Sequence, residues 1–168
     1  MSDIFIRYAA PADFDAIVAL NEAAVQHTSA MDVQRLQNLH ALSAYHKVAT
    51  VDGKVAAFLL AMRENTPYPN DNYGFFAARY ARFLYVDRIV VDPSCAGLKL
   101  GTLLYRDLFD YARAQAVPVI TCEYNIEPPN EPSRRFHDRF GFSEVGTQWL
   151  DGGRKRVSLQ VAHIHTGI

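Results

Sequence analysis

The chain has 168 residues, of which 49% are hydrophobic and 21% charged, with a formal net charge of -1 at pH 7. This length predicts one domain over residues 1–168, large enough to bury a core without disulfides or metals. The near-neutral charge argues against nucleic-acid and membrane partners, and the acidic start of the N-terminal segment argues against a signal peptide. Two cysteines without metal-ligand spacing predict reduced thiols, a cytoplasmic location and no metal site.

The first third of the chain alternates between strand and helix patterns. The predicted elements, in chain order, are a strand over 4–8, a helix over 11–25, a helix over 33–42 and strands over 45–51 and 54–62. Apolar side chains recur at helical spacing in the first helix and form apolar runs in the last two strands. Asp52-Gly53 lies between those two strands and is a strong hairpin signal, so we expect them to pair antiparallel.

Residues 63–79 are predicted to form one long irregular stretch, because prolines, asparagines and a glycine interrupt them. Aromatic side chains are interleaved with these residues. Loops often carry specificity, and aromatic side chains make adaptable pocket walls, so Tyr68, Tyr73 and Phe76 are predicted to line a substrate pocket. The alternative is an aromatic loop that packs on the sheet as accessory core or as a dimer contact.

The rest of the chain begins with a β-loop-α-β unit. The predicted elements are a strand over 81–91, a helix over 100–116, a strand over 117–124, a helix over 131–140 and strands over 142–149 and 154–161. Gly141 ends the second of these helices, and Asp151-Gly152-Gly153 connects the last two strands as a hairpin. The order of elements therefore predicts an α/β protein without repeats or linkers.

The turn that joins strand 81–91 to helix 100–116 has the chemistry of an anion-binding site. A helix N-terminus carries unpaired N–H groups and partial positive charge, and Gly97 and Gly101 would let a pyrophosphate approach the backbone. A turn that is glycine-rich only for packing is the alternative. The GK[ST] sequence of a P-loop and the GxGxxG sequence of a dinucleotide fold are both missing.

In this turn the sequence resembles the GNAT superfamily of acetyltransferases, whose hallmark is a hydrophobic strand, Val-x-Pro and a Gln/Arg-x-x-Gly-x-Gly/Ala turn that opens a long helix. Val91-Asp92-Pro93 and Gly101 match, whereas Ala96 and Lys99 replace the usual Gln or Arg and the first Gly. The family binds pyrophosphate chiefly through backbone N–H groups. The resemblance therefore implies that acetyl-CoA is bound by Ala96, Gly97, Leu98, Lys99, Leu100, Gly101 and Thr102.

A second motif supports the same family, whose sequences carry Asn-x-x-Ala-x-x-Leu/Phe-Tyr-x-x-x-Gly-Phe. The residues that occupy this frame here are Asn130, Ser133, Phe136, Gly141 and Phe142. The resemblance implies an α/β (α+β) fold with a mixed, mostly antiparallel sheet of about six to seven strands, flanked by helices, whose fourth and fifth strands splay apart.

The splayed strands would admit the pantetheine arm of the cofactor. The backbone of Ile89, Val90 and Val91 would pair with that arm, as in strand addition by a ligand. Asn130, Ser133 and Phe136 would contact the cofactor from the other side.

The resemblance also implies direct attack of a neutral amine on the thioester. Glu123 lies on the fifth strand, where several family members have a catalytic glutamate, and Asp87 on the fourth strand is the competing base. A structural role is the alternative for both, for Asp87 by pairing with Arg88. His137 occupies the family's Tyr position and is predicted to donate a proton to the leaving thiolate, or else only to hydrogen-bond near the sulfur.

The predicted function is thus an acetyl-CoA-dependent N-acetyltransferase that acts on an amine of a small molecule or peptide. A non-catalytic acyl-CoA-binding module is the alternative, because Ala96 and Lys99 depart from the family pattern. The oligomeric state stays open, with a homodimer as one candidate because many relatives dimerise.

Overall fold

The computed structural model describes residues 2–25 and 28–165. The strands and helices, in chain order, are β1 (Ile4–Tyr8), α1 (Phe14–Ala23), α2 (Val33–Leu42), β2 (Tyr45–Val51), β3 (Lys54–Arg63), α3 (Asp71–Ala77), β4 (Leu84–Val91), α4 (Leu100–Ala114), β5 (Val119–Glu127), α5 (Glu131–Arg139), β6 (Ser143–Leu150) and β7 (Lys155–His163). Short 3-10 turns precede α1, α4 and β7, at Pro11–Asp13, Pro93–Leu98 and Asp151–Gly153.

The strands within the described residues form one seven-stranded sheet in the order β1-β2-β3-β4-β5-β7-β6. The pairs β1–β2, β2–β3, β5–β7 and β6–β7 are antiparallel, and β4 pairs with β5 in parallel. The connection from β4 to β5 contains α4, as a parallel pair requires a crossover. The predicted mixed, mostly antiparallel sheet with flanking helices is therefore confirmed, while the splay of β4 and β5 stays a prediction.

The chain divides into two compact units, Met1–Met62 with Val86–Asp110 and Arg63–Tyr85 with Tyr111–Ile168. In the first unit, α1 and α2 each bury one apolar face, and Ile17, Leu36 and Leu39 are fully buried. The predicted hairpin of β2 and β3 is present. Asp52 and Gly53 have φ values of 50° and 83°, the left-handed pair that this turn requires.

In the second unit, β7 lies between β5 and β6, and α5 follows β5 directly. β5 is longer than predicted because its pairing with β7 continues as far as Glu127 opposite Arg156. β4 starts at Leu84 rather than at residue 81, and α4 ends at Ala114 rather than at residue 116. The prediction of one domain over 1–168 stays a prediction.

The predicted irregular stretch over 63–79 is wrong, because it contains helix α3. Asn70 caps this helix, and its side-chain oxygen accepts a hydrogen bond from the backbone N–H of Tyr73 at 3.0 Å. Tyr73 and Phe76 lie one turn apart and are both buried, at 4% and 0% exposure. Capping and burial together stabilise a helix that is too short, and too rich in Asn and Gly, to be recognised from propensity.

Candidate active site

The predicted anion-binding turn belongs to the first unit. It consists of the 3-10 turn Pro93–Leu98 and the N-terminus of α4, a helix of 15 residues. Lys99 joins the two with a φ of 57° and a ψ of 40°, a left-handed conformation. Gly97 is exposed, and an added Cβ there would meet nothing within 4 Å. The turn thus presents the free N–H groups of a helix N-terminus beside an open surface.

The side chains of the turn differ in exposure. Ala96, Gly97 and Lys99 are exposed, Leu98, Gly101 and Thr102 are half-buried, and Leu100 is buried. Leu100 can therefore serve a ligand only through its backbone. On β4, Ile89 and Val91 are half-buried and Val90 is buried, so their side chains alternate between faces as expected for a strand.

Asp87 lies on β4 of the first unit, and its side chain is only 5% exposed. One carboxylate oxygen is 3.2 Å from the Arg88 Nε, so the ion pair that we gave as the structural alternative is present. Arg88 in turn donates to the side chain of Asn21 and to Ser29. The predicted role of Asp87 as a base stays a prediction.

Glu123 lies on β5 of the second unit and is half-buried. Its Oε1 accepts one hydrogen bond from the Tyr85 hydroxyl and a second from Asn72 Nδ2 at 2.8 Å. The Oδ1 of Asn72 accepts from Gln148 Nε2 at 3.2 Å, which fixes the orientation of the Asn72 amide toward Glu123. Tyr85 and Asn72 are 0% and 6% exposed, so packing holds both donors in place. Two donors thus orient the Glu123 carboxylate, and its predicted role as a base stays a prediction.

The predicted pocket residues Tyr68, Tyr73 and Phe76 are buried, at 6%, 4% and 0% exposure. The ring centroids of Tyr73 and Phe76 lie 5.7 Å and 5.9 Å from that of Tyr85. The Tyr73 hydroxyl donates to the carbonyl of Arg63 at 2.7 Å. Burial and these ring contacts agree with the alternative that the aromatic residues pack on the sheet as accessory core. Tyr73 and Phe76 pack against Tyr85, the tyrosine that bonds Glu123. Direct contact with an acceptor stays a prediction.

His137 lies on α5 and is 4% exposed. Its Nδ1 is 2.7 Å from the Ser133 carbonyl, which can only accept, so Nδ1 carries a hydrogen and donates it. Burial lowers the pKa of this imidazole, with opposing contributions from the Ser133 bond and from Asp138. The neutral ring therefore has its lone pair on Nε2. To act as an acid, His137 would first have to bind a proton at Nε2. Its predicted role as the acid stays a prediction.

The remaining residues of the second motif shape the start of α5. Asn130 caps the helix, and its Oδ1 accepts from the backbone N–H of Ser133 at 3.3 Å. The Ser133 hydroxyl lies 3.2 Å from His137 Nδ1. Phe136 is half-buried, with its ring centroid 5.4 Å from that of His137. The motif thus has a clear local structural role, and the predicted cofactor contacts stay predictions.

Three residues around Glu123 were not predicted from the sequence: Asn72 and Tyr85, which bond its carboxylate, and Gln148, which bonds Asn72. Asn72 is 51 positions from Glu123 and lies on the helix that was not predicted. Tyr85 could have been identified as a candidate partner, because it is an aromatic residue with a hydroxyl group on the predicted fourth strand. Among the described residues, no group of three His, Cys, Asp or Glu side chains could hold a metal ion. Over the same ranges, no helix is long and apolar enough to cross a membrane.

Comparison with known proteins points to one family. Residues 13–142 match the profile of the acetyltransferase (GNAT) family. The phosphinothricin N-acetyltransferase of Streptomyces coelicolor is 42% identical over 67 residues, which are 40% of this chain and 37% of that protein. The match thus spans little more than a third of the relative's length.

Solved structures share the fold over nearly the whole chain. Ard1 from Thermoplasma volcanium superposes with a TM-score of 0.79 at 15% identity, covering 96% of this chain and 98% of that one. The protein yncA from Salmonella typhimurium, solved with its cofactor acetyl-CoA, gives a TM-score of 0.71 at 21% identity, covering 99% and 97%. At these identities the likeness establishes the fold.

Proposed function

This chain belongs to the acetyltransferase (GNAT) family, a family of acyltransferases, and we propose that it transfers an acetyl group from acetyl-CoA to a primary amine of a small molecule or peptide. The observation that carries the proposal is the Glu123 carboxylate, which Tyr85 and Asn72 hold on β5 of a GNAT-type sheet. The S. coelicolor relative is named as an N-acetyltransferase, which supports an amine as the acceptor.

The turn before α4 fits the phosphates of acetyl-CoA. Its backbone N–H groups lie at a helix N-terminus, Gly97 leaves open space, and Lys99 adds an exposed ammonium group. The backbone of Ile89, Val90 and Val91 would hold the pantetheine arm. When bound, acetyl-CoA supplies the acetyl group as an activated thioester. The presence of acetyl-CoA in yncA supports this assignment.

The residues of the second unit would handle the protons. Glu123 takes a proton from the attacking amine, directly or through a water, as the new C–N bond forms and the C–S bond breaks. We favour it over Asp87 because Arg88 already neutralises that carboxylate. His137 would give the leaving thiolate a proton from Nε2 and regain one from solvent.

Release of free CoA thiol from acetyl-CoA in the presence of primary amines tests the proposal. The panel should include phosphinothricin and a metabolite extract, with mass spectrometry to identify the acetylated product. We expect amine-dependent release that falls by about two orders of magnitude in Glu123→Gln, while acetyl-CoA still raises the melting temperature. A thermal shift without turnover of any amine would instead support the acyl-CoA-binding module. A cytoplasmic location and a homodimer stay predictions.

A further inference from the structure

An irregularity in β6 decides which of its residues face the candidate base. On β7, Gln160 pairs with Glu144, and the adjacent Leu159 pairs with Gly146. Val145 is therefore an extra residue that forms a β-bulge. In a regular strand Gly146 would share the face of Glu144. The bulge turns Gly146 to the opposite face, which is the face of Leu159.

Glu123 lies on this same face of the sheet. It pairs with Leu159 from the other side of β7, so Glu123, Leu159 and Gly146 form one row across three strands. Gln148 follows two residues after Gly146 and belongs to the next row on this face. β-bulges often occur beside active sites, where they redirect side chains. The bulge at Val145 thus places Gly146 and Gln148 on the face that holds the candidate base.

Gly146 leaves room for α3 to approach β6. A Cβ added at Gly146 would lie 2.8 Å from Cζ of Phe75 on α3, whereas an ordinary carbon contact is about 3.5–4.0 Å. The Arg79 guanidinium, 3.5 Å from the ring centroid, and the Phe76 ring at 5.3 Å hold the Phe75 ring in place. Asn72 precedes Phe75 by three residues, so both lie on one face of α3. The missing side chain of Gly146 lets that face come close to the sheet.

Gln148 orients the amide at the start of α3. Its Nε2 donates to the backbone carbonyl of Asp71 at 3.4 Å and to Oδ1 of Asn72 at 3.2 Å. A backbone carbonyl only accepts, so the nitrogen end of Gln148 must face α3, and Oδ1 of Asn72 must face Gln148. The other end of the Asn72 amide, Nδ2, then points to Glu123 and donates to it at 2.8 Å. A reversed Asn72 amide would present its oxygen to the carboxylate and lose this bond.

We propose that Gly146 and Gln148 are positioning residues, which place Asn72 against Glu123 and so prepare this carboxylate to take the proton of the attacking amine. The proposal rests on the acetyltransferase reaction proposed above. Both residues act through α3, Gly146 by the approach of the helix and Gln148 by the direction of the Asn72 amide. Loss of either contact should therefore lower kcat and leave the KM for acetyl-CoA unchanged.

A methyl group added at each of two glycines tests the first contact. Gly146→Ala pushes the Phe75 ring and α3 away from β6, so the bond from Asn72 to Glu123 lengthens and kcat should fall about fivefold. Gly74→Ala is the matched control, because its methyl group would meet nothing within 4 Å, and it should leave kcat within about twofold.

A shorter side chain opposite Gly146 should remove the effect. In the Phe75→Leu chain, Gly146→Ala should change kcat by less than about twofold. A fivefold loss that persists in this background would overturn the role of Gly146, and so would a matching rise in the KM for acetyl-CoA. The melting temperature of each variant shows whether it is folded.

Gln148→Met tests the second contact, because it keeps the shape of the side chain without its donor. We expect kcat to fall about fivefold. In the Asn72→Leu chain, neither Gln148→Met nor Gly146→Ala should lower kcat further by more than about twofold, since both act through Asn72. Full losses in that background would overturn the proposal.

The NMR signals of the Asn72 side-chain amide, identified by their loss in Asn72→Leu, test the positioning without any turnover. The hydrogen-bonded proton should move upfield in Gly146→Ala and in Gln148→Met and stay in place in Gly74→Ala. Unchanged signals in the first two variants would overturn the positioning of Asn72 by β6. Moved signals in a chain that acetylates no amine would support this positioning and contradict the function proposed above.

Discussion

At the scale of single residues, neutral side chains hold the carboxylate that we propose as the catalytic base. Glu123 accepts from Tyr85 and Asn72, and the Asn72 amide is itself oriented by Gln148. Asp87, the other candidate base, is held by the adjacent Arg88. Hydrogen bonds from neutral donors and an ion pair with arginine both favour the ionised carboxylate, and the full charge of arginine adds an attraction that neutral donors lack. Glu123 is therefore the base that we propose.

Asn72→Leu should lower kcat about tenfold, because it removes one hydrogen bond to a charged group, worth about 1.5 kcal/mol, without touching the cofactor turn. The KM for acetyl-CoA should stay unchanged. Steady-state kinetics of CoA release measure both constants. Asn38→Leu, on the exposed face of α2, is the matched control and should leave kcat unaltered. Parallel losses of kcat and of acetyl-CoA affinity would show that Asn72 serves only the fold.

His137 gives a prediction about pH. Burial lowers its pKa below the ordinary 6.5, so the imidazolium is the minor form at neutral pH. If this residue protonates the thiolate, kcat falls as pH rises above that lowered pKa. Tyr is protonated up to about pH 10, so His137→Tyr should retain activity and extend it to higher pH. His137→Phe should lose about two orders of magnitude in kcat. An unchanged chemical step in the Phe variant, followed by single-turnover kinetics, would remove His137 from the mechanism.

At the scale of elements, each unit contains one short segment that departs from regular helical geometry. α3 is a seven-residue helix with Gly74 in its interior, and it brings Asn72 to Glu123. The segment before α4 places Lys99 in a left-handed conformation, at the position where the family has its first Gly. Glycine adopts this backbone conformation without the steric penalty that a residue with a Cβ incurs.

Lys99→Gly should therefore raise the free energy of unfolding by about 0.5–1 kcal/mol, because it relieves the left-handed strain of a residue with a Cβ. Urea unfolding followed by circular dichroism measures the change. Lys54→Gly is the matched control, since Lys54 is exposed at the start of β3, and it should lower stability by a similar amount. A loss of stability in Lys99→Gly would show that the lysine side chain contributes more than its backbone strain costs.

At the scale of the whole molecule, sequence patterns predicted the features whose signal lies within a few neighbouring residues. The Asp52-Gly53 hairpin and α2 are examples, since their turn residues and apolar spacing are local. Glu123 bonds Tyr85 and Asn72, which are 38 and 51 positions away in the sequence. No pattern of neighbouring residues predicts contacts over such separations. A cavity of about 450 Å³ was missed for the same reason, because residues from β5, α5, β6 and β7 line it.

The stability of the fold should depend on pH through a buried histidine in the first unit. His46 on β2 is 3% exposed, and its Nδ1 lies 2.8 Å from the Nδ1 of His40. The rings of Phe14 and Phe58 also pack near the His46 ring. Desolvation, with a further contribution from His40, lowers the pKa of His46 from 6.5 to about 4, although Asp13 opposes the shift. The folded protein therefore binds this proton more weakly than the unfolded chain does.

A lowered histidine pKa in the folded state means that its stabilising contribution is complete above pH 6.5 and is lost as pH falls from 6.5 toward about 4. The loss should amount to about 3 kcal/mol at most. Asp13, whose pKa is lowered by its bond to Arg7, would add a separate loss only below its ordinary value of 3.8. Urea unfolding at several pH values should show a smaller decline between pH 6.5 and 4 in His46→Phe than in the natural chain. His163→Gln changes an exposed histidine and should leave the slope as it was. Parallel curves for all three proteins would mean that His46 is not the group that links folding to protons.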